Sequence, residues 1–401
     1  MSTALKKEKA LRARTPRGKR LALFAAMLVV SGVIALILAE IALRLFPIPG
    51  IIFHNYYYDP VTGGKYYPNS TVTFRGDDGI LIRRSVNSWG FVDVEHNLAK
   101  APGTLRIGFF GDSYVEALQV PLEATFFRLI ENDLDLRTTE LDRLKTHDGK
   151  TTNAVETIAF GMSGRGALQS YLECTNWMEK LDLDYVVYVF VENDPADQIK
   201  QLKGPGLIPY PIAEGDSFTI DDSEIRAQAY KASWWHRGMQ RIKSNSLVVS
   251  TIEGRLKLLK SYGAKRTVTQ ADRNGAAGAV GYAPMAPSAW PPELVPTGWD
   301  LQERVMDKWS RAVKHDERQF AVMHVPRGEE VLRIPFAEQD TWATRLQAYC
   351  TTRHIALVEP TPLFVKREDA GQKMYHNHFT PDGHRAFAES FVDYLLKSAS
   401  R

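Results

Sequence analysis

The hydrophobic pattern opens with a run that no charged residue interrupts. From Leu21 to Ala39 the chain reads LALFAAMLVVSGVIALILA, about 19 residues, enough to cross a bilayer as a helix. Beyond about Thr104 the pattern becomes rhythmic. Leu105 to Phe110, Ala154 to Phe160 and Tyr185 to Val191 are short apolar runs that predict buried strands. Gln319 to Val325 and Ile355 to Val358 add two more. Between and after them, Glu123 to Leu134, Gly166 to Leu181, Leu301 to His315, Asp340 to Arg353 and Pro381 to Lys397 carry helical spacing. In the last of these Phe387, Phe391 and Leu395 recur every four residues and share a face. Short apolar strands alternating with helices predict an α/β fold, a parallel sheet covered on both faces.

Two stretches break the rhythm. Residues 47–103 follow the apolar run and contain HNYYYDPVTGGKYYPNS, which reads as an irregular membrane-proximal segment rather than a core element. Strand-like residues then flank a turn at Asn87-Ser88-Trp89-Gly90. The second break, about residues 198–300, reads as an insertion into one domain, because strands and helices resume after it. Residues 223–262 have helical character, and residues 264–299, rich in Gly, Ala and Pro, read as a mobile loop. Four tryptophans, Trp234, Trp235, Trp290 and Trp299, suggest a sugar-stacking lid as a group, while ordinary packing is the favoured role for any one of them.

Charge sharpens the reading of the N-terminus. Residues 1–20 hold eight Lys/Arg against Glu8 alone, which leaves 42 basic and 46 acidic residues beyond them. The basicity therefore belongs to the tail, and the body gives no case for nucleic acid as a partner. Positive charge before an apolar run places residues 1–20 in the cytoplasm and makes residues 21–46 a transmembrane anchor in the cytoplasmic (inner) membrane. The body, about residues 104–397, is then extracytoplasmic, or periplasmic. A cleaved signal peptide is the competing reading, weakened by the length of the run and the lack of a small-x-small site. Cys174 and Cys350 are far apart in sequence, and two buried free thiols are favoured over a disulfide.

The chemistry-bearing residues fall where the predicted strands end. The first strand runs into Gly111-Asp112-Ser113. Ser113 is either a helix cap or a nucleophile at a helix N-terminus, where backbone N–H groups and the dipole favour an oxyanion. Gly164, after the second strand, allows a backbone N–H to approach a substrate oxygen, or merely makes a turn. Asn193, after the third, can donate its side-chain amide to the same oxyanion or cap a local turn. A serine nucleophile also needs a base. Residues 375–385 read YHNHFTPDGHR, where Thr380-Pro381 predicts the start of the last helix and His378 lies just ahead of it. A metal site from His376, His378 and His384 is the alternative, but no carboxylate pattern completes a ligand set.

Together the four blocks, Gly111-Asp112-Ser113, Ser163-Gly164, Glu192-Asn193-Asp194 and His378 with Gly383, resemble the SGNH, or GDSL, hydrolase superfamily in order and spacing. Asn87-Ser88-Trp89-Gly90-Phe91 is similar to the N-x-x-G-F element of its membrane-anchored bacterial members. The resemblance covers about residues 104–200 and 301–397. It implies a flavodoxin-like three-layer α/β/α sandwich and acyl-ester chemistry that uses no cofactor and no metal. Carried over, Ser113 is the nucleophile and His378 the base, with the Ser113 and Gly164 N–H groups and the Asn193 amide as the oxyanion hole. Two positions depart from the pattern. Tyr375 stands where the orienting Asp is usual, and Val191 where the third block usually has Gly. Asn377, a backbone carbonyl or a remote carboxylate would have to orient the His378 ring instead. The resemblance favours a serine esterase or deacylase acting on acylated carbohydrate or another small ester. An O-acyltransferase acting on an exported polysaccharide is the first alternative. A glycan-binding or polysaccharide-assembly protein on an impaired catalytic fold is the second.

Overall fold

The computed structural model describes residues 17–46, 56–75, 81–203, 207–249, 251–252, 255–256, 290–333, 341–376 and 378–399. Most of the basic tail, Asn377 and all but the end of the glycine-rich loop lie outside these residues. The apolar run is a single helix, α1 (Arg17–Leu45), 29 residues long. Within Gly18–Leu45 an 18-residue apolar window has a mean hydropathy of 2.8, and no residue of that window is buried. By length and composition it can cross a membrane, although a signal sequence passes the same test.

The tyrosine-rich segment is not irregular, which corrects the expectation for residues 56–85. β1 (Tyr56–Asp59) pairs antiparallel with β2 (Gly63–Tyr66), and β3 (Thr71–Arg75) with β4 (Leu81–Ser85). Tyr66 and Val72 are wholly buried and join Val86, Val92, Leu118 and Met162 in a small core of their own. The hairpins are also tied down by buried charge. The Arg84 guanidinium donates to the carbonyls of Ala117, Val120 and Val92 at 3.0–3.1 Å. Arg165 donates to Gly64 O and Thr62 Oγ1, both at 3.1 Å, and to Glu173 Oε2 at 2.9 Å. Short strands without strict alternation leave little periodic signal, and their burial comes from this tertiary docking.

The five predicted strands form one parallel sheet. They are β5 (Thr104–Gly111), β6 (Ala154–Gly161), β7 (Tyr185–Phe190), β10 (Gln319–His324) and β11 (Ala356–Val358), in the spatial order β11-β10-β7-β5-β6. Counted along the chain this is the 2-1-3-4-5 order of a flavodoxin-like fold, whose crevice opens at the carboxyl ends of the strands. One face of the sheet packs on α4 (Ala167–Trp177), α7 (Leu294–His315) and α8 (Trp342–Thr352) through Leu168, Val305, Trp309 and Leu346. The other face packs on α3 (Phe126–Leu136) and α10 (Pro381–Ser398) through Phe127, Ile130, Phe387 and Phe391. The predicted three-layer sandwich is therefore present. An unpredicted helix, α9 (Thr361–Asp369), packs beside them through Phe364.

β6 is an edge strand, and its outward N–H groups are capped rather than open. Val155 donates to Asp135 Oδ1 at 3.1 Å, Thr157 to Glu131 Oε2 at 2.7 Å and Ala159 to Asp93 Oδ2 at 2.9 Å. Three carboxylates at alternate residues occupy donors that another strand would need.

Within the insertion, β8 (Tyr210–Glu214) and β9 (Ser217–Asp221) form a hairpin, followed by α6 (Trp234–Asn245). Over the described part of residues 223–262 the expected helical character is present, divided among separate pieces. Helix Ser223–Ala227 and a 3-10 turn at Ala229–Ala232 precede α6. The tryptophans divide. Trp290 and Trp299 are buried and lie 4.9 and 5.8 Å from the Trp342 ring, so they belong to the core and not to a lid. Trp234 and Trp235 are exposed. Cys174 and Cys350 are both buried free thiols, each pushed up to about 12 by burial.

Candidate active site

Ser113 begins α2 (Ser113–Glu116), a single helical turn at the carboxyl end of β5. The two readings of Gly111-Asp112-Ser113 separate here. The cap is Asp112, whose Oδ1 accepts the Tyr114 N–H at 2.9 Å, which leaves the Ser113 hydroxyl available. Gly111 pairs with Gly161 at the ends of their strands. A Cβ on Gly161 would lie 2.1 Å from the Glu116 backbone nitrogen, so only glycine lets α2 sit across β6.

His378 arrives from the other end of the chain. β12 (Tyr375–His376) and β13 (His378–Phe379) form a minimal antiparallel ladder just before α10. Thr380 Oγ1 caps α10 by accepting the Gly383 N–H at 3.1 Å, with Pro381 at the first helical position. This places His378 Nε2 2.9 Å from Ser113 Oγ, the geometry in which the hydroxyl donates to the ring nitrogen. The Tyr114 ring packs 4.8 Å from the His378 ring. The three histidines of the metal alternative go separate ways. His376 is exposed, and His384 is buried in the core, where its Nδ1 accepts the Phe126 N–H at 3.3 Å. Burial, then the neighbouring Arg84 and His378, hold His384 down at about 3.

Gly164 and Asn193 stand on the turns after the two neighbouring strands. Gly164 has φ +76°, a left-handed conformation that favours glycine. The residue before it, Ser163, donates to Glu116 Oε2. Tyr66 donates to the other oxygen, Glu116 Oε1, at 2.5 Å. Asn193 is buried and its Nδ2 donates to Asp197 Oδ2 at 3.2 Å, with Asp197 in the short helix α5 (Asp194–Asp197). Lys203 joins the two turns: its Nζ donates to Gly164 O at 3.1 Å and to Asp197 Oδ1 at 2.6 Å. Glu116, Asp197 and Lys203 carried no signal in the sequence beyond ordinary helix charges, because their roles depend on contacts between turns.

Beneath these turns lies a cluster of buried carboxylates. Asp194 Oδ2 accepts the Tyr188 hydroxyl at 2.5 Å and the Val191 N–H at 2.9 Å. Burial, with Asp112 adding, pushes Asp194 well above the carboxylate range. Burial likewise pushes Asp112 up to about 7; Asp197 and Glu116 add to this, while the Tyr114 N–H and Lys203 oppose it. Both shifts favour neutral carboxyls and limit negative charge next to Ser113.

Tyr375, where an aspartate is usual, is buried between Phe364 and Phe379, and its hydroxyl donates to the Pro326 carbonyl. The side chain is thus committed to the wall of the site and supplies no charge to the His378 ring.

No family model matches the chain, and no curated protein is significantly similar to it. Among solved structures, it is similar to an acetyl xylan esterase, AlAXEase, with 14% identity and TM-score 0.36 over 72% of this chain and 99% of that one. It is also similar to TesA, with 11% identity and TM-score 0.36 over 74% and 99%. A lipolytic protein of the G-D-S-L family from Veillonella parvula DSM 2008 gives 9% and 0.35 over 72% and 97%. At these values the likeness carries no information about activity. By its own strand order the chain has a flavodoxin-like three-layer α/β/α fold, and its four motif blocks, which resemble those of SGNH, or GDSL, hydrolases, lie together at the carboxyl edge of the sheet.

Proposed function

We propose that the protein is a membrane-anchored, extracytoplasmic serine esterase or deacylase, acting on acyl esters of a carbohydrate or another small alcohol. The observation that carries this reading is the 2.9 Å contact between Ser113 Oγ and His378 Nε2, made by residues 265 positions apart. In the proposed reaction Ser113 Oγ attacks the ester carbonyl while His378 Nε2 takes its proton. The C=O electrons move onto the oxygen, which is held by the Ser113 N–H, the Gly164 N–H and the Asn193 amide. Collapse of the intermediate breaks the C–O bond, and His378 returns the proton to the departing alcohol. Water, deprotonated by the same ring, then releases the acid and restores Ser113. Anchorage by α1 with the N-terminus in the cytoplasm is supported by its length, its apolarity and the basic residues before it.

The direct test is hydrolysis of p-nitrophenyl acetate by the full chain in detergent. Ser113→Ala and His378→Ala should each reduce kcat/KM by about three orders of magnitude or more. Asn193→Ala should reduce it by about 10²-fold, the usual loss for one oxyanion donor. Equal rates for the wild type and Ser113→Ala would refute the assignment.

A further inference from the structure

The proposed reaction uses no residue of the exposed face of α6, and the composition of that face is unusual for a surface in water. On α6, Trp235, Met239 and Ile242 fall at i, i+4 and i+7, one side of the helix, with Trp234 beside them. Their exposures are 59%, 38%, 61% and 82%, and Ile252 and Leu256 further along are 54% and 53% exposed. The surrounding stretch is strongly basic. Residues 226–260 contain eight Lys/Arg and a single acidic residue, Glu253. Of these, Arg237 and Arg241 lie on α6 itself and are exposed. Topology does not account for this charge, since domains far from a membrane span translocate largely regardless of it.

The same segment is fastened to α1. Glu40 accepts the Leu247 N–H at 3.0 Å on Oε1, and the Val248 N–H at 3.1 Å and the Ser246 hydroxyl at 3.0 Å on Oε2. Arg44 pairs with Glu40 at 2.8 Å and donates to Asn245 O at 2.9 Å. Between the two elements lies an apolar groove of about 520 Å³, walled by Val33, Ile37, Ile41, Ile242, Val248 and Val249. On the other side, α6 is held to the body by Tyr67, whose hydroxyl donates to Arg237 O at 3.0 Å.

We infer that α6 and the residues that follow it to 249, with Ile252 and Leu256, form an interfacial element that lies in the outer face of the membrane beside the exit of α1. This rests on the reading of α1 as a membrane span. The occupant is an anionic lipid bilayer: tryptophans at headgroup level, aliphatic side chains below them and arginines toward phosphate are the pattern of an interfacial amphipathic helix. The acyl chains would fill the groove against α1. Two fixed contacts, α1 and α6, would then hold the catalytic domain in one orientation at the surface.

The test reconstitutes the full chain in phosphatidylcholine–phosphatidylglycerol vesicles, with an environment-sensitive nitrobenzoxadiazole probe at one of three positions. Trp235→Cys tests α6, Val30→Cys tests α1, and Leu136→Cys is a control that is 84% exposed on α3. Cys174 and Cys350 are buried and free, so the introduced thiol is the accessible one. The expected result is blue-shifted emission at position 235, quenched by headgroup-level spin labels, with position 30 quenched by deep labels and position 136 reporting water. Water-like emission at 235 with hydrocarbon-like emission at 30 overturns the inference and leaves the anchor standing. Water-like emission at both positions overturns both. A blue shift at 235 that persists in detergent without phospholipid, with cross-linking between copies, assigns the face to a second copy and also overturns it.

Discussion

At the scale of single residues, the proposed dyad is distinct from the side chains that hold its surroundings. Ser113 and His378 are in contact, whereas Tyr375, only three residues from His378, is bound to Pro326. Tyr375→Phe should therefore leave p-nitrophenyl acetate turnover within about twofold. It should lower the unfolding free energy by about 1–3 kcal/mol, because the buried Pro326 carbonyl loses its donor. Denaturant titration alongside steady-state kinetics measures both. A drop of a hundredfold or more in kcat with stability unchanged would instead place the phenol in the reaction. Spacing alone left Ser113 as a cap or a nucleophile and His378 as a lone histidine; the resemblance of the four blocks paired them, and the structure brings the two side chains into contact. The sequence could not identify what holds the turns. Lys203 reaches Gly164 across 39 positions and Glu116 reaches Tyr66 across 50, and neither pairing leaves a periodic trace.

At the scale of elements, apolar strands with both faces buried were legible, and so were most of the amphipathic helices. Their bounds moved by a few residues. The tyrosine-rich hairpins were not legible, because strands of four and five residues with mixed burial resemble loops. The N-x-x-G-F element has a structural explanation. Asn87 Oδ1 accepts the N–H groups of Trp89 and Phe91 at 3.1 and 3.0 Å, and Phe91 is wholly buried against Phe160. The chain then reaches Asp93 and His96, which close the β6 edge. Burial alone would lower His96, but its hydrogen bonds to Asp93 and Glu156 outweigh that and raise it to about 9. A histidine raised on folding adds stability that is complete below its unfolded value of about 6.5 and fades as pH rises through 9. Unfolding free energy should thus fall between about pH 6 and about pH 10, by at most about 3 kcal/mol from this group. His96→Gln should flatten the slope in denaturant titrations at the two pH values; an unchanged slope would remove His96 as its source.

At the scale of the whole molecule, the segment before the sheet is a buttress for the edge that carries Ser113 and His378. Tyr66 holds Glu116, Arg84 holds the loop after α2, and Gly64 and Thr62 hold Arg165. A chain beginning at residue 47 should lose only the circular dichroism of α1, and should keep a cooperative unfolding transition and its hydrolysis of p-nitrophenyl acetate. One beginning at residue 104 should lose both, as it leaves buried Arg165 and Glu116 short of partners. Full activity from residue 104 onward would show that the hairpins do not support the site.

The central claim is that Ser113 is an activated nucleophile although no aspartate stands at position 375. Covalent labelling of the full chain by a fluorophosphonate, read by mass spectrometry of the modified peptide, tests this most directly. The predicted result is a single adduct on Ser113 that disappears in His378→Ala. An unmodified Ser113 in folded protein, or equal labelling with and without His378, would contradict it.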